Sequence, residues 1–214
     1  MLRGLLCDLD GTLADSEPLH CAAWLSLLQD DYGLAYDAHW FEQWIGTSDR
    51  VVAEWLIGEH GWSMTVAELV EQKQQRFQDS VRREGRTFEG VPEALEAIAG
   101  RFPLAIATNS GRSDADLMIE ATRLDRYTSI SVTASDVENM KPEPDIYLLA
   151  AERLGLPATA CIAIEDSGPG GISAKEAGCY LIGLTEKVGN ADEMAESNAA
   201  ALRRAYALLE RDAE

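Results

Sequence analysis

At 214 residues, 46% of them hydrophobic, the chain fits one medium domain or a core with a smaller insert, and it is too apolar for wholesale disorder. Lys and Arg number 18 against 37 Asp and Glu, a net charge of −19. So acidic a surface disfavours nucleic acid and anionic membranes, which are bound by neutralising phosphates with basic residues.

Met1–Leu6 is too short before Asp8 to be a secretory leader, and no apolar run approaches the roughly 20 residues of a membrane span, so a soluble, cytoplasmic protein is expected. The four cysteines (Cys7, Cys21, Cys161 and Cys179) form no C-x-x-C pair. Three lie inside apolar runs and read as reduced core residues. The sequence sets no oligomeric state.

Taken along the chain, the apolar runs Leu2–Cys7, Pro103–Thr108, Ile130–Thr133, Cys161–Ile164 and Tyr180–Leu184 are nearly continuous rather than alternating. That is the pattern of strands covered on both faces. Amphipathic helical segments lie between them near Pro92–Ala99, Ser113–Arg123, Pro144–Leu154 and Gly170–Ala177. Repeated β-α units predict an α/β fold: a Rossmann-like parallel sheet with helices on both faces. Right-handed crossovers put every strand's C-terminal end on one edge. Residues 16–87 break the rhythm. They hold no convincing strand, and helical patterning runs over His20–Asp31, Arg50–Glu59 and Val66–Arg83, the first opened by Ser16-Glu17-Pro18. The expected organisation is a catalytic core of residues 1–15 and 88–214 with an all-helical cap domain of 16–87. An insert after the first strand suits a lid over the ligand crevice; a stabilising appendage is the alternative. Glu210–Glu214 reads as a frayed end.

Four turns on the strand-end edge carry chemistry. Asp8-Leu9-Asp10-Gly11-Thr12 follows the first strand. A carboxylate at Asp8 can attack phosphorus, and Asp10 can protonate the leaving oxygen and later activate water; a plain acidic turn is the alternative. Glu165-Asp166 stands at another strand tip, where like charges call for a hard cation such as Mg2+ between the clusters; Ser167-Gly168 after it also suits a helix N-cap. Thr108-Asn109-Ser110-Gly111 offers a hydroxyl and helix-start N–H groups to an anion. Lys141, in Lys141-Pro142-Glu143-Pro144, is a placed cation or a solvated surface lysine.

With these strings in this order, D-L-D-G-T-L-A-D-S-E-P-L-H (Asp8–His20), A-T-N-S (Ala107–Ser110), K-P-E-P-D-I-Y (Lys141–Tyr147) and E-D-S-G-P-G-G-I (Glu165–Ile172), the chain resembles the haloacid dehalogenase-like hydrolase superfamily. It is similar in particular to the phosphatase and β-phosphoglucomutase-like branch with a helical cap. The resemblance runs from Leu5 to about Leu184. It implies Asp8 as nucleophile and metal ligand, and Asp10 as acid/base whose main-chain carbonyl also reaches Mg2+. It further implies phosphate binding by Thr108, Asn109 and Lys141, with Lys141 bridging Asp8 and phosphate, and metal binding by Glu165 and Asp166. Substrate contacts in the cap would fall to Glu17, His20 and Lys73; a solvated helix face is the alternative for Lys73. Gly46-Thr47-Ser48 resembles the family's cap turn, but Asp49 intervenes before Arg50 where the sugar-phosphate mutases place an arginine, and Ile45 replaces a basic residue. The expected activity is a magnesium-dependent phosphatase of small phosphorylated metabolites, sugar phosphates first among them, through an aspartyl-phosphate on Asp8. The alternatives are a hexose-phosphate mutase and a binding module that keeps the fold without turnover.

Overall fold

The computed structural model describes residues 1–45 and 47–213; Gly46, the first residue of the cap turn above, and Glu214 lie outside them. The chain divides into two compact units, residues 1–15 with 86–214, and residues 16–85.

The first unit is built on a six-stranded, wholly parallel sheet in the order β3-β2-β1-β4-β5-β6. Its strands are β1 (Gly4–Cys7), β2 (Leu104–Ala107), β3 (Ser131–Val132), β4 (Cys161–Glu165), β5 (Tyr180–Gly183) and β6 (Glu193–Met194). Every residue of β1, β2 and β4 is buried, as continuous apolar runs require when helices cover both faces. The helices of this unit are α5 (Val91–Ile98), α6 (Arg112–Thr122), α7 (Asp145–Arg153), α8 (Gly168–Glu176) and α9 (Asn198–Ala213). The chain leaves β1 for β2 on one side, and β4 joins β1 on the other, so the order reverses at β1. In open sheets the ligand crevice lies beyond the strand ends at such a switch point.

In this unit β6 and α9 escaped the sequence pattern. β6 is two residues long, too short for any periodicity. The expected fraying of the C-terminus is corrected: α9 runs through residues 210–213, with Leu202, Ala205, Leu208 and Leu209 buried along one face. The Leu2 N–H also donates to Asp212 Oδ2 at 2.8 Å, tying this last turn to the chain start. All four cysteines are free thiols, and burial pushes Cys161 up to about 11 and Cys179 up to about 12.

The second unit is all-helical: α1 (Glu17–Tyr32), α2 (Ala38–Glu42), α3 (Asp49–His60) and α4 (Val66–Glu84). Trp24, Leu27 and Leu28 of α1 pack with Phe41 of α2, Val52, Ala53 and Leu56 of α3 and Leu69 of α4. α1 carries Pro in its first turn and stops at Gly33, whose φ of 67° suits a residue without Cβ. Thr65 and Glu68 cap α4 reciprocally. No described helix is long and apolar enough to cross a membrane.

Within the first unit the two chain crossings are joined to each other. Arg86 donates to Asp15 Oδ2 from Nε (2.9 Å) and Nη2 (2.6 Å), Asp15 N–H donates to the Arg86 carbonyl (3.0 Å), and Ala14 bridges Thr87. Residues 15 and 86, where the chain leaves and re-enters this unit, therefore stand side by side.

Candidate active site

The site begins with backbone direction. Beyond β1 the chain bends at Leu9, and Asp10 then bridges Ala14. Leu9 is fully buried, Asp8 is buried and Asp10 is half-buried. The loop then folds over the Leu9 carbonyl, which accepts from the N–H of Leu13 (2.9 Å) and Ala14 (2.8 Å). Gly11 makes the turn at φ 78°, and a Cβ there would lie 2.3 Å from Asp166 Oδ2. Here glycine is required twice, for the dihedral and for the approach of Asp166. Asn198 at the start of α9 donates to the carbonyls of Gly11 (3.0 Å) and Thr12 (2.8 Å), pinning the loop from 187 residues away in sequence.

Sheet register does the rest. Cys7 pairs with Ile106 on one side and Ile164 on the other, so one residue further on come Asp8, Ala107 and Glu165 side by side. Lys141 arrives from the loop before α7, held by a two-way amide contact. Its N–H donates to Asn109 Oδ1 (2.9 Å), and Asn109 Nδ2 donates to its carbonyl (3.1 Å). The ammonium then spends its three donors on Asp8 Oδ1 (2.6 Å), the Ala107 carbonyl (2.8 Å) and Glu165 Oε1 (2.5 Å). The solvated-lysine alternative for Lys141 does not hold, because the side chain is buried.

Asp10 lies toward the loop after β2. Its Oδ2 accepts from Ser110 Oγ (2.6 Å) and from Thr108 Oγ1 (3.4 Å), while Thr108 Oγ1 itself accepts the Ser110 N–H (3.0 Å). Of the residues singled out in the sequence, Asp8, Lys141, Glu165 and Asp166 thus converge, and Asp10, Thr108 and Asn109 border them. Asn109 uses its side chain to seat Lys141, a role the sequence did not suggest. Ser110 and Tyr147, both inside the quoted strings, and Asn198, outside them, were not singled out.

Charge in this cluster is unbalanced. Burial pushes the Asp8 carboxyl well above the usual range, Glu165 adds to the rise, and Lys141 opposes it. Burial, then Glu165, pushes Asp166 up to about 7. Burial works against the Lys141 charge, but Asp8 and Glu165 outweigh it and hold the lysine protonated. Carboxylate oxygens of Asp8, Glu165 and Asp166 all lie within 4.8 Å of one another. Three acids against one buried lysine leave negative charge that a hard divalent cation would offset, and all-oxygen donors suit Mg2+. The residues present fit that ion.

Glu17, His20 and Lys73 lie in the helical unit. Lys73 on α4 is fully buried, so the solvated-face alternative fails. Its ammonium donates to Asp49 Oδ2 (2.6 Å), lies 2.6 Å from His20 Nδ1 and stands 4.8 Å over the Phe77 ring, on which His20 stacks. Trp24 Nε1 donates to the other Asp49 oxygen at 3.0 Å. The residue that departs from the mutase pattern is therefore the counter-ion of Lys73, whereas Arg50 pairs with Glu54 on the exposed side of α3. Asp49→Ala is expected to destabilise the protein by about 3 kcal/mol, because it strips a buried cation of a paired charge; urea denaturation monitored by Trp fluorescence measures it.

Comparison with known proteins agrees with this geometry. The profile of the haloacid dehalogenase-like hydrolases matches residues 5–184. The chain is 30% identical to the fructose-1-phosphate phosphatase YqaB of Escherichia coli (strain K12), over 82% of this chain and 92% of that protein. It is 28% identical to a phosphorylated carbohydrates phosphatase of Thermotoga maritima, over 97% of each. Among solved structures, a candidate beta-phosphoglucomutase from Thermotoga maritima superposes with a TM-score of 0.83 at 26% identity, covering 97% of this chain and 100% of that one. The profile spans all four strand-end turns and the helical unit between the first two, so this chain belongs to the haloacid dehalogenase-like hydrolase family.

Proposed function

We propose that this hydrolase is a magnesium-dependent phosphatase of sugar phosphates and similar small phosphate monoesters, working through an aspartyl-phosphate on Asp8. The observation that carries the reading is a buried Asp8 held at 2.6 Å by Lys141 inside a cluster of three converging carboxylates. Such an arrangement orients a carboxylate and supplies charge where a phosphate dianion must approach.

In the first half-reaction Asp8 attacks phosphorus, the ester P–O bond breaks, and Asp10 gives its proton to the leaving alcohol oxygen. In the second, water attacks the acyl phosphate and Asp10 takes its proton, so that inorganic phosphate leaves and Asp8 is restored. Thr108, the Asn109 backbone and Lys141 bind the phosphoryl oxygens. Asp8, Glu165 and Asp166, with the Asp10 carbonyl, would hold Mg2+. Bound there, the ion would neutralise phosphate charge and polarise the phosphoryl group.

The helical unit, residues 16–85, is proposed as the cap that selects the substrate, with Glu17, His20 and Lys73 as its contacts. The phosphatase relatives named above favour a phosphorylated carbohydrate. The structural likeness to a candidate beta-phosphoglucomutase keeps a hexose-phosphate mutase as the second reading. Against it stands the engagement of Lys73 by Asp49, which replaces a mutase arginine with an acid. Purified protein with Mg2+ is expected to release phosphate from several members of a phosphate monoester panel, fructose 1-phosphate included. Isomerisation of a hexose 1-phosphate without phosphate release would instead establish the mutase, and no turnover of any member would end both readings.

A further inference from the structure

Tyr147 is the third residue of α7 and is fully buried, and a phenol in a core is costly unless its hydroxyl finds a partner. It finds one at the site: the hydroxyl donates to Glu165 Oε1 at 2.8 Å. That same oxygen accepts from Lys141 Nζ, and Nζ lies 5.0 Å from the centre of the Tyr147 ring. Glu165 has no freedom to turn away. Its Oε2 accepts from the N–H (3.3 Å) and Oγ (3.0 Å) of Ser167, and a Cβ on Gly170 would come within 1.9 Å of Oε1, so the carboxylate lies flush against the backbone of α8.

We propose that Tyr147 is a positioning residue for Lys141, acting through Glu165, so that the ammonium stays shared between Glu165 and the nucleophile. The proposal rests on the reading of Asp8 as phosphoryl acceptor. The physical basis is competition for one oxygen. The Tyr147 hydroxyl occupies part of the accepting capacity of Oε1 and weakens the pull of Glu165 on the lysine. The opposite attraction comes from Asp8 Oδ1, on the same ammonium. Without the hydroxyl, Oε1 belongs to Lys141 alone, and the lysine shifts toward Glu165 and off the atoms that meet the phosphate.

Tyr147→Phe keeps the ring and deletes the hydroxyl. It is expected to lower kcat about tenfold, the scale of one hydrogen bond to a charged group, with KM changed less than about twofold. In a Glu165→Gln background the same substitution is expected to change kcat by less than about twofold, because the two residues act as one unit. Wild-type kcat in Tyr147→Phe would overturn the proposal. An equal loss in both backgrounds would overturn it too, placing the effect elsewhere. A fall in melting temperature of more than about 10 °C would make the role structural and overturn it as well. An inactive wild-type protein sinks the phosphatase reading itself, a separate outcome read before any variant is compared.

Discussion

Asp8→Asn should abolish turnover by at least about 10^4-fold, with the protein folded and as stable as the wild type or more so. The magnitude follows from the role. A nucleophile acts as a unit with its proton donor, and its removal leaves only the residual rate supplied by binding and electrostatics, as in hydrolases where such losses reach about 10^4 to 10^6. The direction of the stability change follows from the charge. Asp8 is buried with Glu165 and Asp166, so its ionised form is disfavoured by desolvation and by like charge. A neutral amide of the same shape relieves that repulsion and still accepts from Lys141. Activity lost while the melting temperature holds or rises is the expected pair of readings. Activity lost together with the fold would leave the role of Asp8 unsupported. A second readout is covalent: with a turned-over substrate and rapid acid quench, wild-type protein gains the mass of one phosphoryl group and the variant does not.

Lys141→Ala should cost both function and stability. Its ammonium is the only side-chain cation that contacts Asp8 and Glu165 among the described residues. Taking one partner from a buried ionic cluster typically costs about 3 to 5 kcal/mol, because the remaining charges stay buried and unpaired. Here two carboxylates are left facing each other. Turnover should fall about 10^2- to 10^3-fold, the scale seen on losing a preorganised charge donor at a reacting oxygen. The two effects separate on addition of Mg2+. The ion then becomes the main countercharge, so it should raise the melting temperature of the variant more than that of the wild type. Equal shifts in the two proteins would mean that Lys141 and the metal do not share the same carboxylates. Lys141→Arg is not expected to rescue, since a planar guanidinium cannot direct three donors to Asp8, Ala107 and Glu165.

Much of this site was legible before folding. Leu2–Cys7 and Cys161–Ile164 read as strands because nearly continuous apolar runs of that length suit strands covered on both faces. The acids after them were then bound to stand at strand ends. Where the reading fell short, the cause was distance in sequence. Nothing near Asn198 marks it as the clamp on Gly11 and Thr12, because its partners lie in the first strand's exit loop. Tyr147 sat in a recognised string without a role, since a tyrosine in an amphipathic helix is usually core filler. From sequence Lys73 reads equally as a contact or as part of a solvated face, and only the packing of α1, α3 and α4 puts Asp49 and His20 around it. The C-terminal turn reads as frayed from its local charge alone, and it is the buried stripe of α9 that holds it helical.

The sequence by itself determined the family: the strings at Asp8–His20, Ala107–Ser110, Lys141–Tyr147 and Glu165–Ile172 stand in that order along the chain whatever the rest of the molecule does. Tertiary structure alone decided the electrostatics of the site. Register across β2, β1 and β4 sets Ala107, Asp8 and Glu165 side by side, and the Asn109 clamp delivers Lys141 between them. Charge at a buried site depends on distances of a few ångströms between segments more than a hundred residues apart. No local pattern encodes those distances; they exist only once the sheet has closed.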